Sequence, residues 1–227
     1  MGHIDRRDCM ATSWLNSAGV HQMLGYLQPT WYGYMGWGVL DYFVEQPGRY
    51  TFTEAFFANH HALVHRLATC FPELAAAETD LNGRTTTPVR LSDPARAAGL
   101  TLQDARGLLF DRDLVAFYGD PAWSARLADR PRAFEQTLRV EADTYVFEIT
   151  PRRGADSFAP VNRNGSQRGG RPFIAYLPHR VREVALMEGA ELRPVVTDDF
   201  VLVPNPGTCD PARPYRVRFT ATPILSK

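Results

Sequence analysis

Three groups of residues in this chain have the types and spacing to do chemistry. Cys9 follows Asp8 and falls where a short helical pattern begins. A thiol at a helix N-terminus has a lowered pKa and is the better nucleophile; the competing reading is a small buried residue in a first helical turn. His61 and His65 stand four residues apart on a helical stretch and share one face, a spacing that can hold zinc. A zinc peptidase needs glutamate directly after the first histidine, and Ala62 is there, with no carboxylate pair nearby. A polar helix face is the favoured reading. Asp111, Asp113 and Asp120 invite a calcium or magnesium site, but the stretch lacks the third ligand, the glycine and the closing glutamate of an EF-hand loop. Asp120 reads instead as a turn cap. No metal and no cofactor is expected. Cys70 ends an apolar helical pattern and reads as core; Cys209 sits in a late loop with no evident role.

Aromatic residues make a fourth group. Residues 28–38 hold Trp31, Tyr32, Tyr34 and Trp37 together with Gly33, Gly36 and Gly38. Glycine allows sharp turns and close backbone approach, while large aromatics wall cores or pockets. Placed after the short apolar run Val20 to Tyr26, the loop reads as a pocket lip at the end of a buried strand, where ligands sit in open α/β sheets, or as a packed aromatic corner. Such aromatics could stack a base or a sugar. No basic groove surrounds them, which argues against nucleic acid.

These residues need elements to hold them. The chain has 227 residues, with 44% hydrophobic and 22% charged content, and a formal net charge of zero. That composition fits a globular protein of one ordinary domain plus a smaller one. It carries no electrostatic footprint for nucleic acid or an acidic membrane. No apolar run approaches membrane-spanning length, and the polar start, residues 2–8, has no signal-peptide pattern. Cys9, Cys70 and Cys209 are far apart and odd in number, so they suggest neither a disulfide framework nor a zinc knuckle.

Asp8 is expected to cap a short helix containing Ala11, Trp14, Leu15 and Ala18. Residues 39–45 have helical spacing that Pro47-Gly48 ends. Thr51 or Thr53 is expected to cap a helix over about 53–70 that buries Ala55, Phe56, Ala62, Leu63, Leu67 and Cys70; Thr51, with Glu54 three residues on, fits a capping box. Residues 72–94 read as a surface excursion, 95–107 as a weak helix, and Leu114 to Tyr118 as a short buried strand before the Gly119-Asp120-Pro121 turn. Beyond Pro131 the texture changes. Strands are expected over 137–150, 173–177, 195–203 and 215–221, with a loop over 152–170. A boundary near residue 130 separates an α/β part from a β-rich part.

Taken together, these stretches resemble the second half of a gingipain-type cysteine peptidase domain, of the caspase-like fold. Ser13-Trp14-Leu15 through Ala18-Gly19-Val20 is similar to the family's helix and following turn; Gly25-Tyr26 resembles the end of its next strand. Phe52-Thr53-Glu54-Ala55-Phe56 resembles a helix start, and Tyr118-Gly119-Asp120-Pro121-Ala122 its closing turn. The resemblance covers roughly residues 1–125. It implies a caspase-like three-layer α/β fold, with a mostly parallel sheet and flanking helices, partial over 1–130. An immunoglobulin-like β-sandwich module would follow over 131–227. It implies a cysteine endopeptidase acting on a peptide or protein substrate, at the cell surface or secreted. The family's cysteine would fall at or just before Met1, so the chain is expected to lack much of the catalytic dyad; no His-Gly turn of the family's type occurs in it. Cys9 is the candidate nucleophile and His3 a candidate catalytic residue. Gly2 and His3 would lie beside the oxyanion site, and Trp31, Tyr32 and Trp37 would bind substrate. The rival readings are a non-catalytic surface or adhesion module with a degenerate caspase-like half, and a zinc enzyme using His61 and His65.

Overall fold

A computed structural model describes residues 9–17 and 19–224. The chain divides into two compact units: Met1–Arg130 with Asn162–Gly169, and Pro131–Val161 with Gly170–Lys227.

The first unit is mostly helical. It opens with α1 (Met10–Leu15), whose N-cap is Cys9; Asp8, the expected cap, and Ala18 lie outside the described residues. Strand β1 (Gln22–Tyr26) follows, then α2 (Tyr34–Phe43). The aromatic stretch read as one loop is therefore half helix. Helix α3 (Phe52–Cys70) starts from the expected capping box: the Glu54 amide donates to Thr51 Oγ1 (3.1 Å), and the Thr51 amide donates to Glu54 Oε2 (2.6 Å). Its predicted inward residues, Ala55, Phe56, Ala62, Leu63, Leu67 and Cys70, are all buried. Short helices α4 (Pro72–Ala75) and α5 (Asp93–Ala97) lead to α6 (Leu102–Leu114), which runs into β2 (Val115–Gly119) without a loop. The weak helix read over 95–107 is thus two helices, the second ending only at Leu114.

Strands β1 and β2 lie side by side, with Met23 opposite Tyr118 and Leu24 opposite Phe117. They run antiparallel, as does every named strand pair among the described residues, where a mostly parallel sheet was expected. The reason lies in the excursion from β1 through α6. It returns to the end of the ribbon it left, where the Leu27 amide donates to the Leu114 carbonyl (2.9 Å). A parallel partner would need a crossover to the opposite end. Both strands are half-buried rather than buried as read, because each has only one hydrogen-bonded strand neighbour among the described residues. No helix among those residues is long and apolar enough to cross a membrane.

The second unit holds two antiparallel sheets. One has strand order β3-β4-β9-β6, from β3 (Phe134–Glu141), β4 (Thr144–Pro151), β6 (Val181–Glu188) and β9 (Tyr215–Pro223). The other has the order β5-β8-β7, from β5 (Phe173–Tyr176), β7 (Val195–Val196) and β8 (Phe200–Val203). Strand β4 alternates inward Tyr145, Phe147 and Ile149 with less buried neighbours, the period-two pattern of a one-sided strand. Those residues share one core with Phe173, Val201, Val203, Val217 and Phe219, drawn from both sheets. At the sheet edges, Gln136 Nε2 donates to the Ile174 carbonyl (2.6 Å).

Candidate functional site

The predicted site residues fall in different places. Gly2 and His3 lie outside the described residues. Cys9 is buried at the head of α1. Its thiol receives the Thr12 amide (3.3 Å) and shares a hydrogen bond with the Thr12 hydroxyl (3.2 Å). The side-chain bond, then the backbone one, holds the thiol below its ordinary pKa. Nearby, the Tyr118 phenol is pushed up, by burial first and then by the charge on Cys9. The turn after β2 is held from β1: Gln22 Nε2 donates to the carbonyls of Asp120 (2.7 Å) and Trp123 (2.9 Å). Gly119 has φ +104°, and a Cβ there would collide with the His21 carbonyl, so this turn requires glycine. The His21 ring stacks on Trp123 at 4.2 Å.

Trp31 and Tyr32 lie elsewhere, in a polar cleft of about 520 Å³ that Arg66, Asp104, Ser166 and Gln167 also line. That volume is typical of small-molecule sites (roughly 300–1,000 Å³). Three elements build it. Helix α6 starts with its own capping box, in which the Thr101 amide (2.8 Å) and hydroxyl (2.7 Å) both donate to Asp104 Oδ2. Asp104 Oδ1 accepts the Tyr32 hydroxyl (3.1 Å) and the Ser166 hydroxyl. Tyr32 and Ser166 are themselves 2.9 Å apart. Burial alone would raise the Asp104 pKa, but the bonds from Ser166, Thr101 and Tyr32 outweigh it and hold the carboxyl below its ordinary value. Burial pushes the Tyr32 phenol up. From α3, Arg66 Nη1 donates to the Ser166 carbonyl (3.0 Å), and its guanidinium lies 5.4 Å from the Tyr34 ring centre.

The segment that supplies Ser166 is anchored to α2. Arg168 pairs with Asp41 (3.0 Å) and Glu45 (2.5 Å), the Gly169 amide donates to Asp41 Oδ2 (2.9 Å), and Asn162 Nδ2 donates to Glu45 Oε1 (2.8 Å). Sequence reasoning missed Asp104, Arg66 and Ser166. The Thr101…Asp104 spacing was a readable cap, but nothing local points Asp104 at a residue in a distant loop. Trp37, grouped with Trp31 and Tyr32 from sequence, lines neither this cleft nor the neighbouring one. Helix α2 starts at Tyr34 and turns Tyr34, Met35, Val39 and Tyr42 inward, which leaves Trp37 on the outer face.

The three aspartates do not converge. Asp111 is buried and accepts the Met35 amide (2.7 Å) and the Tyr26 hydroxyl (3.1 Å), capping α2 from a distance where Gly33 offers no side chain. Burial raises its pKa to about 6, against the pull of those hydrogen bonds. Asp113 pairs with Arg112 (2.6 Å), and Asp120 Oδ1 accepts the Ala122 amide (2.9 Å), a turn cap as read. His61 and His65 are half-buried on α3, and no cluster of three His, Cys, Asp or Glu gathers among the described residues.

No family model matches this chain, and neither the curated proteins nor the solved structures contain a match to it.

Proposed function

We propose that this chain is part of a cysteine-type endopeptidase of the gingipain-like class, with an immunoglobulin-like module after the peptidase part. One observation carries the reading. The two stretches on which the resemblance rests, ending in Gly25-Tyr26 and Tyr118-Gly119-Asp120-Pro121, pair residue against residue in one ribbon. Cys9 lies close enough to this ribbon for its charge to add, after burial, to the upward shift of the Tyr118 phenol. Parallel sheets often carry an antiparallel strand at one edge, and the β1–β2 ribbon suits such an edge of a caspase-like sheet. The chemistry would be acyl transfer: an imidazole takes the thiol proton, the thiolate attacks a peptide carbonyl, and backbone amides hold the oxyanion. Cys9, with a thiol already below its ordinary pKa, is the candidate nucleophile in this chain.

A second reading, a binding module without catalysis, is favoured by the enclosure of that thiol. Cys9 is 5% exposed and engaged by Thr12. A peptidyl acyloxymethyl ketone, applied to the full-length gene product and mapped by mass spectrometry, separates the two. Label on Cys9 that disappears in Cys9→Ala supports the peptidase. Absence of label, or label on Cys209 alone, abandons it for the binding module.

A further inference from the structure

The polar groups of the Tyr32–Asp104–Ser166 cleft are largely engaged with one another. Asp104 receives hydrogen bonds on both oxygens, from Tyr32 and Ser166 on one and from Thr101 on the other. Arg66 donates to a backbone carbonyl and lies over an aromatic ring. Among the described residues these are the lining's one carboxylate and one cation, and their charges balance. A ligand with net charge would lose hydration there against a lining whose described charges balance.

What the cleft still offers is neutral. The Trp31 indole is 48% exposed. Gln103 and Asn164 bring carboxamide groups, the Asn164 amide already reaching Gln167 Oε1 (3.5 Å), and Gly99 and Gly165 bring bare backbone. An aromatic face beside neutral donors and acceptors suits a polyhydroxylated ring, with its C–H face on the indole and its hydroxyls toward the amides. Trp31 also walls a second cleft of about 820 Å³, with Thr85, Thr87 and Phe110, so a ligand several units long has room on both sides of the indole. The Asp41 and Glu45 anchors hold residues 162–169 in place before any ligand arrives, which lowers the entropy lost on binding.

We propose that this cleft binds a neutral oligosaccharide, with one sugar ring stacked on Trp31 and its hydroxyls bonded to Gln103 and Asn164. The proposal stands independently of the peptidase reading, since it uses neither Cys9 nor the β1–β2 ribbon.

The test titrates the intact protein with N,N′,N″-triacetylchitotriose, maltotriose, cellotriose and mannotriose by calorimetry, with triarginine and triglutamate as charged counterparts. At least one trisaccharide is expected to bind, with affinity lowered about tenfold or more by Trp31→Ala, the loss of one stacked aromatic anchor. Gln103→Ala should weaken it less, and Trp14→Ala, on α1, should leave it within about twofold. Trp31 is half-exposed, so its variant is expected to keep the fold. The proposal is overturned if no trisaccharide binds at roughly 10 mM, a concentration that detects even contacts of about 3 kcal/mol. It is overturned equally if Trp31→Ala binds as well as wild type, or if only a charged peptide binds.

Discussion

The ring of Tyr32 rests against the backbone of Gly107. A Cβ at that position would stand 2.7 Å from Tyr32 Cδ1 and closer still to Cγ and Cδ2. Glycine inside a helix costs roughly 0.5–1 kcal/mol relative to alanine, and α6 carries that cost so that the Tyr32 hydroxyl can reach Asp104. Gly107→Ala is therefore expected to destabilise the protein by about 1–3 kcal/mol through overpacking, although helix propensity alone predicts a gain. In a Tyr32→Ala background the same change should stabilise, by up to about 1 kcal/mol. Urea denaturation of the four proteins reads the cycle; a gain from Gly107→Ala in the wild-type background would mean the ring retreats without cost.

Asp111 should make stability depend on pH in an unusual direction. Its folded pKa is raised to about 6, against roughly 3.9 in an unfolded chain. The native state then binds the extra proton between those values. The contribution is complete below about pH 4 and is lost as pH rises through about 6, on the order of 3 kcal/mol in total. Asp111→Asn should remove that slope. Other carboxylates titrate in the same window, so the quantity to follow is wild type minus variant from pH 4 to 7. A flat difference would show that Asp111 is not strained by burial.

Arg168 sits between two carboxylates that are nearly out of water, Asp41 and Glu45. Removing one partner from a buried ion pair costs about 3–5 kcal/mol. Arg168→Met is expected to lose about 3 kcal/mol and to open residues 162–169 to limited proteolysis. Unchanged stability with unchanged cleavage would mean that the segment is held by something else.

The two capping boxes allow a controlled comparison. Thr51→Ala and Thr101→Ala should each cost about 1 kcal/mol in thermal or urea denaturation. Only Thr101→Ala should also disturb the cleft, because Thr101 shares Asp104 with Tyr32 and Ser166. Calorimetric titration with the trisaccharides tells them apart: equal effects of both variants on binding would detach Asp104 from the cleft.

Helix α3 was legible almost to the residue, because its apolar spacing and its Thr51…Glu54 box are both local. The hairpin of β3 and β4 read as one strand, since its turn at Ala142 and Asp143 has no glycine or asparagine; Ala142 nonetheless takes φ 55°. Strand β6 was missed because all its residues after Val181 are exposed, which leaves no alternation to see. It is held through its backbone to β9, with register shifts of the kind that blunt a sheet edge. In the cleft, Trp31 and Tyr32 were legible as an unusual cluster of large rings. Asp104 was hidden in an ordinary capping pattern, and Ser166 in a polar loop.

From the sequence alone came the elements whose signals lie within a few residues: α3 and its cap, the strands around Met23 and Phe117, and the glycine demanded by the turn at Gly119. Only the tertiary structure decided that β1 and β2 meet head to tail, and that Tyr32, Asp104 and Ser166 share one hydrogen-bond network. Spacing along a chain reports torsion preferences and one-sided burial. The direction in which a long helical excursion returns, and the polar groups it brings together, depend on how whole elements pack.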